Sequence, residues 1–295
     1  MDVSGGTHIK QLTVISGKGG TGKTTLVAAF ASLAKNAVLA DCDVDAADLH
    51  LILKPEILER QDFTGLRQAE IDGQKCTGCG KCREHCHFGA IGEDFLVIQD
   101  RCEGCGVCRL VCPAGAVRLE ERKAGEAYLS RMRFGPMSHA ELEPGGEASG
   151  KLVSLVIANA RKLAEKEGRG LIIIDGPPGT GCPVIASIGG SDLALVITEP
   201  SLSGIHDMER VLAVCEHFRV PAAVCINKHD INDTNTCAIE IWCKSKGLDV
   251  VGKIPYAEVT TRAMIAGKTV IEFDEGGIGR DVAALWSKVL GHLGS

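Results

Sequence analysis

The chain predicts a doubly wound α/β fold, a mainly parallel sheet with helices on both faces, interrupted once by a small inserted α+β module. Three observations predict it. Short apolar runs of β type at residues 12–16, 171–175, 193–198 and 222–227 alternate with helix-period segments, as strands buried on both faces require. A glycine-rich loop joins the first such strand to the first helical pattern. Eight regularly spaced cysteines between residues 76 and 112 break the alternation and mark a separate module.

At 295 residues there is room for one large domain plus something small. The composition is 45% hydrophobic with no unbroken apolar run near 18 residues, which fits a soluble globular chain and excludes a membrane span or a disordered chain. The start Met-Asp-Val-Ser-Gly-Gly has neither a basic segment nor an apolar core, so no secretion signal is expected and the location expected is cytoplasmic. A net charge of −6 argues against nucleic acid as a partner. Fourteen cysteines in such a chain point to metal ligation or redox chemistry before disulfides.

The first strand leads into Gly17-Lys18-Gly19-Gly20-Thr21-Gly22-Lys23-Thr24-Thr25, which fits G-x-x-x-x-G-K-[ST], and Leu26, Ala29, Phe30 and Leu33 follow at helical spacing. Glycines let successive backbone N–H groups turn inward around phosphate oxygens, and the helix N-terminus adds its positive dipole end. Lys23 would bridge the β- and γ-phosphates, and the Thr24 hydroxyl would ligate Mg2+. The second lysine of the loop, Lys18, makes the motif K-G-G-x-G-K-[ST], and here the sequence resembles the deviant P-loop ATPases of the MinD/ParA type. That resemblance implies ATP and Mg2+ as cofactors and a homodimer that closes over two nucleotides. In it Lys18 crosses the interface to the nucleotide held by the partner subunit.

Residues 36–41 read as the second strand, ending in Asp41-Cys42-Asp43-Val44-Asp45 at the carboxyl edge where parallel sheets carry their chemistry. In the resembled family this segment is the first switch, its second aspartate orienting the attacking water. That role falls on Asp43, and Asp45 stands near enough in sequence to share it. Ala47-Asp48 replaces the Pro-Asn of the family pattern.

The inserted module spans residues 72–119, leaving 1–71 and 120–295 to the nucleotide domain. Cys76, Cys79, Cys82 and Cys86 give C-x2-C-x2-C-x3-C, repeated 26 residues later by Cys102, Cys105, Cys108 and Cys112, with nine identities in 16 aligned positions. A zinc ribbon wants two separated C-x2-C pairs, whereas three cysteines at x2 spacing with a distant fourth occur here twice. The module resembles the bacterial two-cluster ferredoxins. The resemblance implies two [4Fe-4S] clusters with the fourth ligand supplied by the other half: Cys76, Cys79, Cys82 and Cys112 for one, Cys102, Cys105, Cys108 and Cys86 for the other. So small a module lacks a core able to fold alone, so metals would hold it together. His87 replaces the proline expected after Cys86; it either lies beside the second cluster and tunes it or is exposed and inert.

A glycine-rich, charged stretch at 123–150 is expected to return the chain through turns at Gly135-Pro136 and Pro144-Gly145-Gly146. A helix follows over 151–167, then the strand Leu171-Ile172-Ile173-Ile174-Asp175, whose terminal acid would support magnesium through a bound water. Gly176-Pro177-Pro178-Gly179-Thr180-Gly181 reads as the second switch. Cys182 stands where the nitrogenase iron protein, similar in this spacing, has a cluster-bridging cysteine; the alternative is a buried structural thiol. Asn227-Lys228-His229-Asp230 fits N-K-x-D, in which asparagine serves either purine and aspartate selects guanine, while the family resemblance implies ATP. Pro255 is expected to help wall the base. The terminal run 281–293 carries Val282, Leu285, Trp286, Val289 and Leu290 on one face, and its few cations favour packing on the sheet over membrane attachment.

The expected activity is Mg-dependent hydrolysis of ATP with Lys18, Lys23, Asp43 and Asp175 as the catalytic set. It would be coupled to two clusters that transfer electrons or sense redox state for an unidentified redox or metallocluster-assembly protein. The alternative is an assembly or positioning switch, or a cluster carrier, with the clusters structural or as cargo.

Overall fold

The computed structural model describes residues 8–143 and 149–294. The opening Met1–Gly6 stretch and the turn expected at Pro144-Gly145-Gly146 lie outside them. Strand β1 (Lys10–Ser16) runs into the glycine loop and α1 (Lys23–Leu33), and β2 (Ala37–Asp41) leads through a short α2 (Leu49–Leu53) to a long β3 (Glu56–Ile71). Two one-turn helices, α3 (Lys81–Glu84) and α4 (Val107–Leu110), precede β4 (Val117–Met132) and β5 (Gly135–Leu142). Then α5 (Ser149–Glu167), β6 (Leu171–Pro178), α6 (Cys182–Ile188), β7 (Leu193–Thr198), α7 (Leu202–His217), β8 (Ala222–Asn227), α8 (Asp233–Ser245) and β9 (Val250–Ile254) alternate as β/α units. Helices α9 (Glu258–Ile265), α10 (Val270–Phe273) and α11 (Ile278–Gly294) close the chain.

The nine strands form one sheet in the order β3-β4-β5-β2-β6-β1-β7-β8-β9. From β5 to β9 neighbouring strands run parallel, and Asp41 stands in register with Asp175. The pairs Asp62–Lys123, Arg67–Glu121 and Asp72–Ala116 run in opposite senses along β3 and β4, as antiparallel strands do. Period-two alternation sends Leu12, Val14, Leu39 and Ile173 to a core shared with α1 and α11, while Ile15, Val196 and Val224 meet α6, α7 and α8 on the other face. Both faces are therefore covered, which is what continuous apolar strands demand.

Helix α11 packs on the sheet through Val282, Leu285, Trp286 and Val289, with the Trp286 ring 4.9 Å from that of Phe30. Leu290, expected on the same face, turns outward at 43% exposure, and Leu293 takes the buried place. Among the described residues no helix is long and apolar enough to cross a membrane.

The stretch 123–143, expected to be turn-rich return chain, is instead the end of β4, a tight reversal at Arg133-Phe134, and β5. Strand β3 was equally unmarked. Both β3 and the first part of β4 are charged and largely exposed, so ladder pairing holds them rather than burial, and periodicity carries no signal of that. By contact the chain divides into two compact units: one within Met1–Arg60, Ala127–Glu141 and Ser149–Ser295, the other within Gln61–Glu126 and Leu142–Ala148. Positions 72 and 119 fall inside the second unit because the long strands β3 and β4 contribute to it.

Candidate nucleotide site and cysteine cavities

In the first unit, the carboxyl edge of the parallel strands opens into a cleft of about 620 Å³. The glycine loop from Gly19 to Thr25, Asp43 and Asp45 beyond the end of β2, Asn227, Lys228 and the Pro255–Ala257 segment all line it. Gly20 and Gly22 have φ of 77° and 88°, left-handed values that glycine adopts without a Cβ penalty, and a Cβ on Gly22 would collide with the Asn227 amide. Gly17 lies against Asp207 of α7 as closely as a glycine allows.

Lys23, at the first position of α1, is buried, and its ammonium lies 2.6 Å from Asp175 Oδ1 and 3.7 Å from Asp43 Oδ2. Burial opposes its charge most strongly, but Asp175, with Asp43 and Asp41, together outweigh burial and raise the lysine above its ordinary pKa. Burial, reinforced by the negative charge of Asp175, drives Asp41 well above the carboxylate range. Asp43 is raised as well, again first by burial, because neighbouring Asp175 and Asp45 add repulsion that Lys23 only partly offsets. Among the described residues three buried oxygens here have no hydrogen-bond partner: Thr21 Oγ1, Asp41 Oδ2 and Asp175 Oδ2. A hydroxyl on the phosphate loop and two carboxylate oxygens at adjacent strand ends are the donor set suited to a phosphate and to the water shell of Mg2+.

Lys18 does not line the cleft. Its ammonium meets Glu199 Oε1 at 2.5 Å and donates to Ser203 Oγ at 3.0 Å. Glu199 also pairs with Lys228 at 3.3 Å, and both lysines hold its carboxyl below the usual range against the opposing effect of burial. Sequence reasoning passed over Glu199 and gave Asp41 no role, although each is an acid at the end of an apolar strand, the same signal that marked Asp175.

In the second unit the eight cysteines divide between two cavities. One is lined by Cys86, Cys102, Cys105 and Cys108 together with Ala69, Ile91 and Val97. The other is lined by Cys76, Cys79, Cys82 and Cys112 with Ile71, Phe95 and Val117. Backbone N–H groups of Ala69, Ala90 and Ala116 donate to Cys102, Cys86 and Cys112 sulfurs at 3.3–3.4 Å. Burial pushes the Cys82 and Cys108 thiols up; for Cys112 burial is outweighed by several amide donors, and its thiol lies below the ordinary value. Among the described residues no three His, Cys, Asp or Glu side chains converge as ligands of a single metal ion. His87 is exposed, edge-on to Phe88 at 5.7 Å, and does not line the cavity of Cys86.

Cys182 is exposed at the start of α6, not buried; Gly181 and Pro183 bring the chain to the surface there. Cys215, Cys225 and Cys243 are buried, and Cys237 is exposed.

A glycine-loop cleft at the switch edge of a doubly wound sheet defines a P-loop nucleotide-binding protein. The CobQ/CobB/MinD/ParA nucleotide binding domain matches residues 12–270, and the chain belongs to that family. It is similar to two uncharacterized proteins of Methanocaldococcus jannaschii. One is 38% identical over 230 residues, covering 77% of this chain and 81% of the relative; the other is 24% identical over 269 residues, covering 90% and 92%. Among solved structures it resembles septum site-determining MinD of Pyrococcus horikoshii complexed with Mg-ADP (TM-score 0.59, 16% identity, 95% of each chain). It also resembles an ATP complex of Cyanothece McdA (TM-score 0.60, 18% identity, 98% of each chain). At those identities the likeness is one of fold.

Proposed function

We propose that this chain is a Mg-dependent ATPase that dimerises on binding ATP and holds two [4Fe-4S] clusters, its nucleotide state governing electron transfer or redox sensing for a partner protein. The observation that carries the reading is the partition of eight cysteines into two cavities of four, each taking three from one repeat and one from the other. A zinc ion would draw four thiolates to about 2.3 Å from one point. A cubane instead takes one thiolate per iron, and spaced sulfurs around an apolar cavity with amide donors suit it. Such clusters supply one-electron redox chemistry when bound.

In the nucleotide site the loop amides and Lys23 neutralise phosphate charge, Thr24 and Asp175 serve the magnesium and its water, and Asp43 orients the attacking water with a carboxylate whose raised pKa makes it a better proton acceptor. Lys18 leaves Glu199 to reach the nucleotide of the second protomer. Lys18→Ala should therefore abolish the ATP-dependent dimer in light scattering while leaving nucleotide binding by the monomer intact.

The deciding experiment is an anaerobic redox titration of reconstituted protein, first with Mg2+ and a non-hydrolysable ATP analogue and then with ADP. Iron near eight per chain is expected, because two cubanes hold about four each. A shift of about 59 mV between nucleotide states corresponds to a tenfold coupling for a one-electron couple and supports gating. Coincident curves reject equilibrium coupling and favour the assembly switch or carrier. Iron well below that number rejects the clusters themselves.

A further inference from the structure

The N-K-x-D segment at the end of β8 reads, by its letters, as a guanine selector. Its side chains are committed elsewhere. Asn227 Nδ2 donates to the Thr21 carbonyl at 2.7 Å, and Lys228 Nζ donates to the Gly20 carbonyl at 3.1 Å, so both stitch the strand end to the phosphate loop. Lys228 sits in left-handed backbone at φ 55°, an uncommon conformation for a lysine that these bonds hold, and it turns the chain into the 3-10 segment His229–Ile231. That turn aims Asp230 at the β9–α9 connection, where its Oδ1 accepts the Tyr256 backbone N–H at 2.7 Å. Pro255, Tyr256 and Ala257 line the cleft beside Asn227 and Lys228; Asp230 is exposed and does not.

Guanine presents two neighbouring donors, the ring N–H and the exocyclic amine, and a selecting carboxylate must lie in their plane with both oxygens turned to them. A carboxylate outside the cleft with one oxygen on a backbone amide is not placed for that. Adenine presents an exocyclic donor, and Asn227, having spent an amide hydrogen on Thr21, keeps its carbonyl oxygen as an acceptor.

We propose that Asp230 is a positioning residue that fixes the Pro255–Ala257 base wall and does not itself read the base. The inference rests on the nucleotide-binding reading above. The reason for the hydrogen bond is geometric: a proline and the two residues after it cannot be held by ladder pairing where β9 has ended, so a side-chain acceptor fixes the turn.

The test measures ATP, GTP and xanthosine triphosphate binding by calorimetry, with Mg2+, for wild type, Asp230→Ala and Asp230→Asn. Asparagine keeps an acceptor for the Tyr256 N–H, so Asp230→Asn is expected to bind ATP as wild type does and to gain no affinity for xanthosine triphosphate. Loss of the bond in Asp230→Ala should weaken ATP and GTP alike, by about three- to tenfold, leaving their ratio unchanged. A gain of xanthosine triphosphate binding in Asp230→Asn, or a selective loss of GTP in Asp230→Ala, would show that Asp230 reads the base and overturn the proposal. Unchanged ATP affinity in a folded Asp230→Ala protein would overturn the positioning role. Wild type that binds no nucleotide at all fails the nucleotide-binding reading itself, an outcome distinct from the other two.

Discussion

Replacing Lys23 by Met tests the electrostatic core of the nucleotide site without requiring any ligand. Its ammonium is buried 2.6 Å from one carboxylate and 3.7 Å from a second, and the fully buried Asp41 is in register with Asp175 on the neighbouring strand. Removing one partner of a buried ion pair typically costs about 3–5 kcal/mol, because the remaining charge stays desolvated. For a chain of this size that corresponds to a melting temperature lower by roughly 6–15 °C. The loss should depend on pH. Asp41 and Asp43 already titrate above the ordinary carboxylate value of 3.8, and without the ammonium they would rise further. An acid whose folded pKa is raised stabilises the fold below its unfolded pKa, and that contribution disappears as pH climbs through the folded one. The deficit of the variant should therefore shrink as pH falls toward 3.8 and grow as pH rises to 8, as measured by calorimetry in nucleotide-free, chelator-containing buffer. Adding Asp175→Asn to the variant should restore part of the difference. A variant that melts within about 2 °C of wild type at pH 8, or a deficit of equal size at all pH values, would refute the reasoning.

Two further outcomes follow from local geometry. Gly104 has φ +61°, and a Cβ there would fall on the Arg67 carbonyl of β3, whereas the repeat-equivalent Gly78, at φ +66°, would meet only a Phe95 ring carbon at 3.7 Å. Gly104→Ala should consequently lower anaerobically reconstituted iron by about half, the content of one cubane, while Gly78→Ala retains more of it. Arg133 holds Glu272 through a two-pronged hydrogen bond at 2.7 and 2.8 Å, lowering that carboxyl from 4.5 to about 2. The pair's stabilisation is present at neutral pH and fades as pH falls below about 4.5 toward 2, so urea unfolding of Arg133→Ala should differ most from wild type at pH 7, the gap narrowing toward pH 2 to what the Arg133 bonds to the Ile52, Leu53 and Gly267 carbonyls contribute.

The nucleotide end of this fold was legible because its residues are specified by local rules. Gly20 and Gly22 follow from a loop that needs left-handed backbone, and Asp175 from an apolar strand ending in an acid. The strands β7 and β8 announced themselves as apolar runs because both their faces are covered. What stayed hidden depends on partners distant in sequence. Nothing near Lys18 indicates that it pairs with Glu199, and the letters of N-K-x-D do not reveal that Asp230 is taken by Tyr256. Strands β3 to β5 were invisible because their registry comes from pairing with each other and with β2, and much of β3 and β4 faces water with alternating charges that look like surface loop. Cys182 shows the converse error: cysteine is usually buried, but this one stands exposed at the start of α6, between Gly181 and Pro183.

The Asp72 N–H donates to the Ala116 carbonyl at 2.8 Å, closing the base of the antiparallel β3–β4 pair. The 45-residue excursion from Asp72 to Ala116 thus leaves and re-enters the chain at a single rung of a ladder. In connectivity such an excursion joins the two strands as a hairpin turn would, over the same short gap, while Ala69, Ile71 and Val117 beside the rung turn their side chains to its cysteines. One in-frame step therefore suffices to exchange a plain hairpin for this cysteine-rich cassette while leaving the strand order unchanged, the side chains of β3 and β4 beside the rung being the ones that must adapt.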